Sequence, residues 1–196
     1  MRDPFNILVA GVGGQGNLLC GRVLAEASVR SGLRPVVGDT FGASRRGGSV
    51  LTHLRIGNRD WAPLIAKGEV DILLGLEPLE ALRAAYKYAG DRTVAIVSKT
   101  KIPIVILNDK KTEYPSLEKI IESLNKLCKQ VIVIDAEETL LQIGSMKTLN
   151  SYILGVMGSL DQIPVSVSVI RETLQSLFGS QSINIAAFDE GAKSIA

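Results

Sequence analysis

Cysteine, histidine and aromatic residues are all scarce in this 196-residue chain, and each shortage excludes something. The two cysteines, Cys20 and Cys128, stand far apart. They form no C-x-x-C pair and cannot furnish the four thiolates of an iron–sulfur cluster. So few thiols with no disulfide framework suit a reducing cytoplasm. The single histidine, His53, rules out a multi-histidine metal site. No run of about 18 apolar residues is present to cross a membrane. Met1-Arg2-Asp3-Pro4 opens no signal peptide, because no apolar stretch follows a basic one. The formal net charge of +2 is too small to argue for nucleic acid as a partner. No G-x-S-x-G elbow occurs.

What is present is a globular core composition, 46% hydrophobic and 21% charged, with 19 glycines against seven prolines. The length suits one domain, taken as 1–196. Arginine and lysine are unevenly placed. Residues 1–60 hold eight Arg and no Lys, and Lys predominates after Ser98. Guanidinium forks match phosphates and carboxylates better than ammonium point charges do. An anionic ligand is therefore expected near the first third.

Apolar runs and helical spacings alternate along the chain. The pattern predicts strands over Phe5–Ala10, Pro35–Gly38, Ser49–Ile56, Val70–Leu76, Thr93–Ser98 and Val131–Asp135, with a short extended piece over Ile102–Leu107. It predicts helices over Asn17–Arg30, Pro78–Ala89 and Ser116–Lys129, then a mostly helical remainder broken at Gly144, Gly158 and Pro164. Such alternation implies an α/β fold: a mostly parallel, Rossmann-like sheet with helices on both faces and a helical C-terminal part. Ligands of such sheets lie beyond the carboxyl ends of the strands. That edge would carry Gly11–Gly16, Asp39–Gly48 and Gly75–Glu77.

Two motifs fall on that edge. Gly11-Val12-Gly13-Gly14-Gln15-Gly16 follows a strand and opens a helix. Glycines there admit tight turns and close approach, while helix N–H groups point at negative charge. Asp39 would end the second strand, where a dinucleotide fold places its ribose-binding acid. The second motif, Asp39-Thr40-Phe41-Gly42-Ala43-Ser44-Arg45-Arg46-Gly47-Gly48-Ser49, puts paired Arg before paired Gly. That is an anion clamp in principle, or an exposed loop between strands. Glu77 could act as an acid or base, or more simply favour a helix N-terminus. His53 reads as a half-buried strand residue on the face of Leu51 and Arg55, and Cys20 as core filling.

GVGGQG followed some thirty residues later by RGGSVLTHLRIG resembles the gamma-type subunit of the pyruvate and 2-oxoacid:ferredoxin oxidoreductases. Gly75-Leu76-Glu77-Pro78, Tyr114-Pro115, Ile143-Gly144 through Asn150 to Leu154-Gly155, Phe178-Gly179 and Asn184 to Gly191 extend the resemblance over essentially the whole chain. Within the family the arginine–glycine stretch is most similar to the indolepyruvate oxidoreductase beta group. Arg45, Asp39 and Phe41 stand where that group usually has other residues.

The resemblance implies oxidative decarboxylation of a 2-oxoacid to acyl-CoA, with electrons passed to ferredoxin. Thiamine diphosphate, Mg and 4Fe-4S clusters would belong to a larger alpha subunit, since no GDG…N segment is found here. This chain, inactive alone, would bring Gly11, Gly13, Gly14, Gln15, Gly16, Arg45, Arg46, Gly47 and Gly48 to coenzyme A or to the partner. Two other readings stay open: a stand-alone nucleotide-binding module or NAD(P)-dependent oxidoreductase using GVGGQG and Asp39, and a scaffold that binds nothing.

Overall fold

Apolar β-strand sequences with no polar alternation must be covered on both sides, and here they are. The computed structural model describes residues 2–42, 47–102, 114–160 and 162–195. Strands β1 (Phe5–Val12), β2 (Arg34–Phe41), β3 (Ser49–Gly57), β4 (Ile72–Gly75), β5 (Val94–Ser98) and β6 (Gln130–Ile134) form one sheet in the order β2-β3-β1-β4-β5-β6. The neighbours β1, β4, β5 and β6 pair in parallel. Strand β3 runs antiparallel to both β1 and β2. The reason is the 42–48 connection. It is too short for the crossover that parallel strands need, so β2 and β3 close as a hairpin. Gly47 and Gly48, just before β3, lie at the carboxyl edge beside the glycine motif.

Helices α1 (Asn17–Arg30), α4 (Glu137–Ile143), α5 (Leu149–Gly158), α6 (Val167–Phe178) and α7 (Ile183–Lys193) cover one face. Their core includes Ile7, Val9, Leu54, Leu74, Ile96, Ile153 and Phe188, all buried. Helices α2 (Pro78–Tyr88) and α3 (Leu117–Leu127) cover the other face over Leu8, Ala10, Leu73, Ala95 and Val97. The helix ends follow their sequence signals. Pro78 starts α2, Ser116 caps α3 through Lys119 N, and Gly144 ends α4 at a φ of 102°.

Beyond one-residue shifts at their ends, three strands differ from the sequence reading: the first runs on to Val12, so Gly11 and Val12 of the glycine motif lie within it. The second runs from Arg34 to Phe41, so Asp39 sits inside it and does not end it. The fourth is limited to Ile72–Gly75. Of the Ile102–Leu107 piece, residues 103–107 lie outside the described residues.

The helical layer depends on backbone contact between α5 and α7. A Cβ on Gly155 would fall 2.1 Å from Phe188 O, and one on Gly191 would fall 2.1 Å from Tyr152 O. Neither neighbour is a flexible side chain, so the helices would have to separate. Gly191→Ala is therefore expected to lower stability by about 1–3 kcal/mol, the usual cost of overpacking. Thermal denaturation followed by circular dichroism checks this, and an unchanged melting temperature would show that the two helices can part without cost.

Candidate functional site at the carboxyl edge of the sheet

The glycine motif opens on the last two residues of β1, Gly11 and Val12, and the shape of the loop is set from two sides. Gln15 folds back over it. Its Oε1 accepts from Val12 N at 2.7 Å, and its Nε2 donates to Leu76 O at 2.9 Å. A Cβ on Gly11 would lie 2.7 Å from that Oε1, so Gly11 makes room for Gln15. Gly16 caps α1 with a φ of 90° and contributes no side chain to the cap. A Cβ there would lie 2.1 Å from Nδ2 of Asn150 at the start of α5. Asn17 donates to Val50 O at 2.8 Å, while its buried Oδ1 has no partner among the described residues.

The structure brings the two sequence motifs together. Gly13 N donates to Gly48 O at 2.9 Å, and Gly42 N to Ser49 O at 2.7 Å. Gly14 and Gly47 have φ of 106° and 73°, and among the described residues nothing lies within 4 Å of where a Cβ would stand. Their φ values favour glycine, and their open sides leave backbone that a ligand can approach. Arg45 and Arg46 lie outside the described residues. Of the candidate positions, Gly11, Gln15 and Gly16 serve the frame, Gly13 and Gly48 join the motifs, and Gly14 and Gly47 remain open.

Asp39 accepts a hydrogen bond from Thr52 Oγ1 at 2.6 Å across the β2–β3 pair. That partner gives it a structural role within the sheet. His53 is fully buried, not half-buried. Its Nδ1 accepts from Ile65 N at 3.3 Å, its Nε2 is unpartnered among the described residues, and its ring meets Tyr88 edge-on at 5.1 Å. Burial first, and then Lys87, push its pKa down. Cys20 is fully buried, and burial pushes its thiol up to about 12, which leaves it unreactive packing.

Glu77 caps α2, with Oε2 accepting from Glu80 N at 2.8 Å and Oε1 accepting from the Tyr114 hydroxyl. Sequence reading had no signal for the Tyr114 bond, which joins residues far apart in the chain. Glu80, also fully buried, takes Arg83 on Oε1 at 2.6 Å and leaves Oε2 unpartnered among the described residues. Among the described residues no three His, Cys, Asp or Glu side chains gather as metal ligands.

Residues 6–194 match the pyruvate ferredoxin/flavodoxin oxidoreductase family. The chain belongs to that family. A curated relative, indolepyruvate oxidoreductase subunit IorB of Archaeoglobus fulgidus, is 36% identical over 92% of this chain and 89% of its own. Pyruvate oxidoreductase subunit PORC of Thermotoga maritima superposes with a TM-score of 0.69 at 20% identity, covering 98% of this chain and 94% of that one. The 2-oxoglutarate:ferredoxin oxidoreductase of Magnetococcus marinus, solved with 2-oxoglutarate, coenzyme A and succinyl-CoA, superposes equally well at 19% identity. There the match covers 98% of this chain but 31% of that longer one. Within the pyruvate ferredoxin/flavodoxin oxidoreductases this is an IorB-like small subunit. The stand-alone NAD(P) reading finds no support.

The buried carboxyl of Glu77 gives a pH-dependent prediction. Burial raises its pKa above the ordinary 4.5, against the lowering effect of the Tyr114 and Glu80 bonds. A carboxyl with a raised folded pKa contributes stability that is complete below the unfolded value and is lost as pH climbs through the folded one. Relative to Glu77→Gln, the wild-type chain should thus lose stability as pH rises from about 4.5 toward neutrality. Denaturant midpoints of the two proteins across that range measure the difference. A gap independent of pH would mean that Glu77 ionises in the fold without penalty.

Proposed function

We propose that this chain is the small subunit of a 2-oxoacid:ferredoxin oxidoreductase acting on indolepyruvate or another aryl pyruvate. A larger alpha subunit carries thiamine diphosphate, Mg and the 4Fe-4S clusters, and passes electrons to ferredoxin. Bound there, thiamine diphosphate would supply the electron sink that decarboxylation needs. Both cysteines of this chain are buried, at Cys20 under α5 and Cys128 behind α3, which supports placing the clusters on the partner.

The observation that carries the reading is the Gly13–Gly48 bond. It brings two motifs that are separate in sequence to one ligand-facing edge. The role of this chain is to bind and orient the phosphate chain of coenzyme A. The free backbone flanks at Gly14 and Gly47 accept close approach. The N-terminus of α1 has no acidic residue in its first turn and no side-chain cap, so its N–H groups favour an anion. Arg46, next to Gly47 in sequence, supplies the cation. Arg45 would assist it.

The test is steady-state kinetics of the two-subunit enzyme with coenzyme A varied. Losing one charge-assisted contact costs about 1.5–3 kcal/mol, so Arg46→Ala should raise the coenzyme A KM by roughly tenfold or more with assembly intact. Arg46→Lys keeps the charge without the fork and should recover only part of that loss. If assembly fails while the variant stays folded, Arg46 contacts the partner subunit instead. If KM, kcat and assembly are all unchanged, the arginine–glycine turn is only a loop.

A further inference from the structure

Asn150 lies in the segment from Gly144 to Leu154-Gly155 and is the second residue of α5. Only 5% of it is exposed. The two ends of its amide can be told apart. Oδ1 accepts from Ser151 N at 2.7 Å, and only an oxygen can accept there. Nδ2 is therefore the end that meets Gly16, 2.1 Å from where a Cβ of that residue would stand. It donates to nothing among the described residues. Nor is it sealed in. Among the described residues the fully buried polar side-chain atoms without a partner are Asn17 Oδ1, His53 Nε2 and Glu80 Oε2, so Nδ2 keeps an opening to the surface.

Gly16 is the N-cap of α1 and has no side chain to offer. A cap side chain would accept from the second or third N–H of the helix. Here the first N–H of α1 to find an acceptor is that of Cys20, bonded to Gly16 O at 3.1 Å. Those of Asn17, Leu18 and Leu19 have none among the described residues. The helix runs 14 residues and carries no acid in its first turn. Where an ordinary cap brings an oxygen, α5 brings an amide nitrogen. Donors meet donors at this end of α1, and none can satisfy another. An anion with several oxygens satisfies them together, because the helix dipole and the N–H groups both favour negative charge. Contact with Gly16 alone does not call for a donor, since an apolar side chain of like size would fill that space without stranding one.

We propose that Asn150 is a binding residue, and that its Nδ2 and the first-turn N–H groups of α1 seat one phosphate group of coenzyme A. The proposal rests on the reading of this edge as a coenzyme A site. A phosphate presents more oxygens than a carboxylate, enough for donors that arrive from two helices. The C-terminal third then touches the ligand directly, through a residue far along the chain from the glycine motif. Ser151 positions it: by donating to Oδ1, its N–H turns Nδ2 toward Gly16.

The experiment uses the two-subunit enzyme with coenzyme A, or with pantetheine, which has the thiol but no phosphate, as acyl acceptor. Two variants separate binding from packing. Asn150→Asp keeps the shape and the Ser151 bond but puts a carboxylate oxygen in place of the donor. That oxygen takes the seat itself, holding the fold while shutting out the ligand. Asn150→Ala removes the donor and leaves a gap beside Gly16. If Asn150 only packs, Ala is the more harmful change; on the proposal Asp is. The expected result is a coenzyme A KM raised about tenfold by Asn150→Ala and further by Asn150→Asp, with the pantetheine KM of both within about twofold of wild type. Asp no worse than Ala, or equal rises for the two acceptors, overturns the proposal. If Arg46→Ala raises the coenzyme A KM and neither Asn150 variant does, Asn150 lies outside the site and the coenzyme A reading stands. If none of the three moves that KM, both fall. Should the Asn150 variants fail to fold, the wild-type enzyme decides. With the small subunit isotopically labelled, the nuclear magnetic resonance signal of the Asn150 side-chain amide should shift on adding coenzyme A and stay in place with pantetheine. A signal that coenzyme A leaves unmoved overturns the proposal.

Discussion

A single side-chain amide holds the carboxyl edge in shape. The chain leaves β1 toward one side of the sheet and leaves β4 toward the other, so the two strands diverge at their carboxyl ends. Open α/β sheets usually bind ligands in that crevice. Here Gln15 spans it, tied to Val12 N and Leu76 O. Both bonds engage backbone groups that would otherwise need water or a ligand. The clamp thus occupies the crevice between the ends of β1 and β4. Gly11 follows from this, because any Cβ there would displace Gln15. Two of the glycines in G-x-G-x-x-G are thus required by contacts within the protein, and a dinucleotide reading of the motif loses its physical basis.

The clamp in turn rests on the helical layer. Asn150 of α5 presses on Gly16, and Cys20 of α1 points at the carbonyl of Asn150, 3.8 Å away. Helix α5 is buried along its whole length and is held against α7 by direct backbone contact at Gly155 and Gly191. The C-terminal third therefore sets the height of the first loop above the sheet. Small residues far from the loop in sequence act on it through packing, because close-packed interiors transmit displacement.

Much of this was readable in the residues. Strands with unbroken apolar runs, such as Phe5–Val12 and Val94–Ser98, and helices with clear caps, such as α2 and α3, have strong local signals. The edge strand β2 did not, because its exposure is irregular and Pro35 and Gly38 blur the pattern. That error misplaced Asp39 at a strand end and lent it a ribose-binding role. That the glycine motif and Gly47-Gly48 come together was legible from topology, since the one follows and the other precedes a strand at the carboxyl edge. The identity of the framing residues was not. Gln15 bonds Leu76, Gly16 meets Asn150 and Tyr114 bonds Glu77 across long stretches of chain, and no local pattern encodes such pairs.

The same contacts bear on what kind of chemistry the described residues can do. Several of the buried titratable side chains are already committed to backbone or to another side chain. Glu77 caps a helix and holds Tyr114, Glu80 holds Arg83, and Asp71 accepts from Asn6 N and from Arg92. His53 accepts from Ile65 N, and burial lowers its pKa. A group can serve as acid, base or nucleophile only if it reaches the reacting atoms. What faces outward at the carboxyl edge is instead backbone: the open glycines and the first turn of α1. Backbone donors fixed in place bind anions without changing charge. On the small-subunit reading proposed above, they orient a phosphate chain and leave bond-making to groups supplied from elsewhere. On that reading the chain contributes position, and its effect on rate comes through the geometry it imposes on a bound partner or co-substrate.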